Sequence, residues 1–154
     1  MGTTVIRPAG DDDLGGVARL RWEWLLENQG SPATSYEEFA SAFVGWAQAN
    51  RSSHRCLIMV ENDVVIGMAW LAIIRRVPTP STLQRISGDL QSMYVVPARR
   101  GAGLGGQLID AVVDLAGRLG VKHLTVHSSA KAISAYARHG FSTSPDLLCA
   151  EPVV

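Results

Sequence analysis

The sequence predicts an α/β protein, a single domain of 154 residues with one mixed sheet of about six to seven strands flanked by about four helices. Three observations predict it. Two apolar runs, His54 to Glu61 and Val64 to Ile74, flank Asn62-Asp63 and read as a hairpin. Asp89 to Val126 reads as strand, glycine loop, helix, strand, a parallel crossover unit. Apolar residues recur at helical spacing in three further stretches.

Taken in order, Thr3 to Ile6 is a short strand ended by Arg7-Pro8. Asp11, Asp12 and Asp13 offer caps and favourable charge at a helix start. Leu14, Val17, Leu20, Arg21, Trp24, Leu25 and Asn28 then trace a helix that Gly30-Ser31-Pro32 breaks. Trp22 and Trp24 cannot both face inward, so one of them is left to cover the sheet edge or to line a surface. Ser35-x-x-Glu38 is a capping box for a second helix with Phe39, Ala42, Phe43, Trp46 and Ala47 inward. After the hairpin, Arg75 to Gly88 carries Pro78 and Pro80 without a clear period and reads as a loop. Asp89 to Val96 is the central strand, and Val121 to Val126 the parallel strand reached through the next helix. Ser128 or Ser129 caps a last helix, Ala130 to His139, closed by Gly140. Phe141 onward reads as a final short strand or two, interrupted by Pro145.

The centre of the chain is the stretch from Ser92 to Gly106. Pro97 ends the strand, and Gly101, Gly103, Gly105 and Gly106 remove side chains where something must approach the backbone. Leu104, Leu108, Ala111, Val112, Leu115 and Leu119 then carry a helix to Gly120. A glycine loop opening a helix presents free N–H groups and the positive end of the dipole, which suits a phosphate. Arg99 and Arg100 add charge beside it. Without a ligand the same stretch would be a glycine-rich turn, at a cost of roughly 0.5–1 kcal/mol per glycine.

Two patterns fit this loop. Gly101-x-Gly103-x-x-Gly106 matches the dinucleotide fingerprint, which wants an acidic residue about 20 residues on, at the end of the next strand. That strand ends Val126-His127 with no carboxylate, and too little chain follows for a doubly wound sheet. Arg100-x-x-Gly103-x-Gly105 matches the acyl-CoA pyrophosphate signature of the GNAT superfamily of N-acetyltransferases.

Composition narrows the class. A formal net charge of zero implies neither a nucleic-acid nor an anionic-membrane partner. No apolar run is long enough to span a bilayer, and no signal-peptide core is seen at the start, so a cytoplasmic setting is expected. The two cysteines, Cys56 and Cys149, sit in apolar contexts and read as reduced, buried thiols. His123 and His127 share a strand face but lack further ligands in spacing, so no metal site is expected.

The resemblance to GNAT enzymes extends over essentially the whole chain. Ile6-Arg7-Pro8-Ala9 with its aspartate-rich helix start resembles the family's first strand and helix. Met93 to Gly105 resembles its most specific motif, and Ala132-Ile133-x-x-Tyr136-Ala137-Arg138-His139-Gly140-Phe141 its last block. The resemblance implies acetyl-CoA as acyl donor. The pyrophosphate would lie on the backbone N–H groups of the loop Arg100, Gly101, Ala102, Gly103, Leu104, Gly105 and Gly106, and the pantetheine arm along Met93, Tyr94 and Val95. It also implies Tyr136 as the acid that protonates the departing thiolate.

Attack requires a free amine, and deprotonating a lysine-like ammonium at pH 7 costs roughly 4–5 kcal/mol. Asp89, four residues before Met93 and so on the same face of the strand, is the candidate base through a water. Glu23, Glu27 and Glu61 are the alternatives, and Lys131 and Arg138 could reach a coenzyme phosphate or be solvated. The acceptor class stays open between a small-molecule amine and a peptide. A non-catalytic acyl-CoA-binding or sensing domain would need neither Tyr136 nor a base. The apolar tail Glu151 to Val154 permits a homodimer.

Overall fold

The computed structural model describes residues 2–153. Five strands form one sheet in the order β1 (Thr4–Pro8), β2 (His54–Glu61), β3 (Val64–Arg76), β4 (Arg85–Val95) and β5 (Leu124–Val126). The first three pairings are antiparallel and β4–β5 is parallel. Helices α1 (Leu14–Glu27) and α2 (Tyr36–Ala49) cover one face; α3 (Leu104–Arg118) and α4 (Ile133–Arg138) cover the other.

Alternation along the strands sorts the core into these two layers. Leu57, Met59, Ala69, Leu71, Leu90 and Val95 meet Leu108, Ile109 and Val112 of α3. Ile58, Val65, Met68, Trp70 and Tyr94 meet Leu14, Val17 and Leu20 of α1. Gly16 lets α1 approach closely, since a Cβ there would lie 3.1 Å from Val65 Cγ2. The β2–β3 turn uses Asn62 and Asp63 with φ of 50° and 62°, the left-handed pair that a two-residue hairpin needs.

Several expected boundaries differ. β4 begins at Arg85 because the long β3 continues the ladder to Arg76, so the loop shrinks to residues 77–84. β5 keeps only three residues. No strand follows Phe141 among the described residues, giving five strands where six to seven were expected. Ser142 to Ser144 and Asp146 are polar, Pro145 cannot donate to a ladder, and Leu147 and Leu148 stay exposed. Ser35 caps α2 by accepting from Glu38 N–H at 3.2 Å, while the Glu38 carboxylate takes the Thr34 hydroxyl. Asp13 turns back to Gly10 N–H and Arg7 and does not cap α1. Cys56 is half-buried, with burial pushing its thiol pKa up, whereas Cys149 is exposed, contrary to expectation. Among the described residues no helix is long and apolar enough to cross a membrane. Val154, part of the tail that permits a homodimer, lies outside the described residues.

Candidate active site

After β4 a short 3₁₀ turn, Pro97–Arg99, delivers the chain to the glycine loop. Gly101 and Gly103 have φ of +87° and +80°, so both need glycine for the backbone conformation itself. Gly103 is the N-cap of α3, whose fifteen residues place a full macrodipole behind the loop. The N–H groups from Gly101 to Gly106 donate to no other group of the described chain. Leu104 buries its side chain in the core, so it too offers the loop only its N–H. The result is a cradle of unpaired donors at a helix start.

The neighbouring strand edge is open. β5 pairs with β4 only at Gly88, Asp89 and Leu90, and the two strands then part. Val96 N–H donates to Ile66, so by antiparallel alternation Tyr94 also faces β3, and Met93 and Val95 turn their backbone groups to the vacated side. This corrects the expectation for Tyr94, whose main chain belongs to the sheet. The Val95 carbonyl accepts from Arg100 Nε at 2.8 Å, leaving its N–H at the edge.

Arg100 does not reach over the loop. Its guanidinium forms a forked pair with Glu27 at 2.7 and 3.0 Å and lies over the Tyr94 ring. Its own N–H donates to Pro97. Tyr94 donates its hydroxyl to the same Glu27 at 2.8 Å, and burial with this acceptor pushes its pKa up to about 12. Arg100 therefore ties the loop to the end of α1, and its guanidinium does not lie over the glycine N–H groups. Glu27, Glu61 and Glu23 are each paired to an arginine, Arg100, Arg99 and Arg19.

Met93, Gly105 and Tyr136 are brought together from three elements. The Tyr136 hydroxyl lies 3.9 Å from Met93 Sδ, and Met93 Cε lies 4.0 Å from where a Gly105 Cβ would stand. Tyr136 is 7% exposed, packs edge-on against Phe141, and has its pKa raised by burial, so its hydroxyl stays protonated at neutral pH. Gly106 has a second reason to be glycine: a Cβ would run into the ring of His139, which Asp110 holds at 2.7 Å. Lys131 and Arg138 are exposed on the last helical segment.

Asp89 lies on the other face of the sheet from Met93. β4 carries an extra residue, Ser92 with φ +58°, between the Trp70–Gln91 and Met68–Tyr94 pairs. This bulge reverses the alternation, so Leu90, Met93 and Val95 face α3 while Asp89 and Gln91 face the α1/α2 side. Asp89 accepts from Gln91 Nε2 at 3.0 Å and from Thr125 Oγ1 at 2.7 Å. On that side lies a cleft of about 200 Å³, lined by Arg21, Phe43, Trp46, His54, Trp70, Gln91 and Ser92. Trp22 meets Tyr36 edge-on and Phe39 at a tilt, and Trp24 packs in the α1 layer, so neither lines it. Its tryptophans are Trp46 and Trp70. The sequence signal was Phe43 and Trp46 one turn apart on α2, read as core and found as cleft wall.

Fold and site together define an α/β protein with an open sheet edge, a phosphate-ready loop, and a separate cleft across the sheet. The acetyltransferase (GNAT) family model matches residues 17–141, and the chain belongs to that family. It is an acetyltransferase. YhfO of Bacillus subtilis, an uncharacterised N-acetyltransferase, is 36% identical over 109 residues, 66% of this chain and 67% of that one. Among solved structures, a predicted acetyltransferase of Clostridium acetobutylicum with acetyl-CoA superposes with a TM-score of 0.77 at 23% identity, covering 97% of this chain and 96% of that one. Glucosamine-6-phosphate N-acetyltransferase of Arabidopsis thaliana gives 0.72 at 17% identity, covering 97% and 98%. These two likenesses show the fold.

Proposed function

We propose that this acetyltransferase moves an acetyl group from acetyl-CoA to the primary amine of a small molecule or peptide by direct attack in a ternary complex. The observation that carries the reading is the row of unpaired N–H groups from Gly101 to Gly106, placed beside an edge of β4 that β5 has left. A pyrophosphate satisfies such a row, and amide groups of a pantetheine arm satisfy the edge at Met93 and Val95. Acetyl-CoA supplies an activated thioester. The chain then has three tasks: to polarise the thioester carbonyl with an edge N–H, to protonate the departing sulfur from Tyr136, and to draw a proton from the acceptor ammonium. Asp89 takes the last task through a water, since its carboxylate bonds Gln91 at the cleft.

Calorimetric titration with acetyl-CoA, with NADH as control, tests the coenzyme. Micromolar binding of the first and none of the second is expected, followed by release of CoA thiol on addition of an amine. Failure to bind acetyl-CoA would overturn the proposal.

A further inference from the structure

The cleft on the α1/α2 face carries an unusual chemistry for a site that receives ammonium groups: a cation and aromatic walls, with no carboxylate in its lining. Phe43 and Trp46 each approach Trp70 at 5.8 Å between ring centroids, with planes at 88° and 56°. Trp46 also meets His54 edge-on at 4.9 Å, yet remains 44% exposed. Flat apolar groups left open to water in this way mark a binding surface. A volume of about 200 Å³ limits the occupant to a small molecule.

Arg21 supplies the second half of the argument. It is half-buried, and among the described residues its guanidinium has one partner, the ring of Trp24, with its centre 4.4 Å from the centroid. Arg19 and Arg99, also half-buried, each pair with a glutamate. Burial lowers the Arg21 pKa through desolvation, and the group stays charged. A desolvated guanidinium without an acid, at a cleft wall, is complementary to an anionic group on the ligand.

We propose that the acceptor is a small aromatic amine bearing a carboxylate, with an aromatic α-amino acid as the simplest form. Its ring lies against Phe43, Trp46 and Trp70, and its carboxylate is held by Arg21. This rests on the acetyl-CoA reading above. The ammonium loses a proton toward Asp89, the nitrogen lone pair forms the N–C bond, the nitrogen gives its second proton to solvent as the tetrahedral centre collapses, the C–S bond breaks, and the thiolate takes the Tyr136 proton, which solvent replaces. An ammonium and acetyl-CoA thus become an N-acetyl product, free CoA thiol and one proton. A cation beside the amine also favours its neutral, nucleophilic form.

The test compares phenylalanine with phenethylamine, which lacks only the carboxylate, by CoA thiol release in the wild-type protein and in Arg21→Met. In the wild type kcat/KM for phenylalanine should exceed that for phenethylamine by about tenfold or more. In Arg21→Met the ratio should fall to about one, with acetyl-CoA affinity unchanged as the control for folding. A second readout needs no turnover: 3-phenylpropionate should saturably quench tryptophan fluorescence of the wild type and not of the variant. The proposal is overturned if phenethylamine matches phenylalanine in the wild type, if the preference survives Arg21→Met, or if acetyl-CoA binds while phenylalanine is neither acetylated nor 3-phenylpropionate bound. Absence of acetyl-CoA binding would overturn the coenzyme reading instead, and the quench would still decide the cleft.

Discussion

The glycine loop permits a test in which charge and sterics separate at one position. A Cβ on Gly103 meets nothing within 4 Å, but its φ is +80°. Gly103→Ala should therefore cost only the left-handed conformation, about 1–2 kcal/mol, or about 2–8 °C in Tm for a domain of this size. Coenzyme affinity should stay within about threefold, because the N–H row and the helix dipole are retained. Gly103→Asp adds a carboxylate beside a bound pyrophosphate. At about 5 Å and an effective dielectric of about 40, each phosphate charge repels it by about 1.7 kcal/mol. Two such charges weaken binding by about 3 kcal/mol, about two orders of magnitude in Kd. Aspartate tolerates the left-handed region better than alanine and favours a helix start, so its Tm should be no lower than that of Gly103→Ala. Titration with acetyl-CoA alongside thermal denaturation reads both quantities. A folded Gly103→Asp protein that binds acetyl-CoA within threefold of wild type would refute the phosphate assignment.

Three further outcomes are expected. Tyr136→Phe loses a hydroxyl whose one side-chain partner is a thioether at 3.9 Å, so stability should change by less than about 1 kcal/mol while kcat falls at least about tenfold at constant acetyl-CoA affinity; unchanged turnover would remove the acid role. Asp89→Asn keeps partners for Gln91 and Thr125, so it should fold normally and lose about tenfold or more in kcat/KM at pH 7, recovering toward pH 9–10 as the free amine rises; a pH profile identical to wild type would exclude Asp89 as base. Glu27→Gln breaks the forked pair with Arg100, and because this pair is partly exposed the loss should be only about 0.5–1 kcal/mol at pH 7. The hydrogen bonds from Arg100, then Tyr94, hold the Glu27 carboxyl below its ordinary range, so its contribution is full above the unfolded value of about 4.3 and disappears as pH falls through the folded one. Denaturant titrations of wild type and variant should thus begin to converge below about pH 4.3 and meet once the pH lies below the depressed folded value, and a constant gap would show that the pair acts by packing alone.

The sequence by itself determined the elements whose signals are local. Asn62-Asp63 specifies a tight hairpin because both residues accept left-handed backbone, and Gly101 and Gly103 specify the loop because few other residues do. The period of Leu104, Leu108 and Val112 marks α3 because one stripe of that helix is buried along its length. The sequence also identified the family through its glycine loop and tyrosine block. Tertiary structure decided what depends on distant partners. Arg100 looked like a phosphate ligand, but Glu27 lies seventy-three positions earlier in the chain and claims it. Asp89 and Met93 share a face in an unbroken strand, but the bulge at Ser92 separates them, and no composition rule marks a serine for a φ of +58°. Phe43 and Trp46 carry a core period, and whether such a stripe is buried or left open as a cleft is decided by how closely α2 packs against Trp70 of β3. The cleft on the α1/α2 face is made by contacts between α1, α2 and three strands, so its chemistry could be seen only once those segments met.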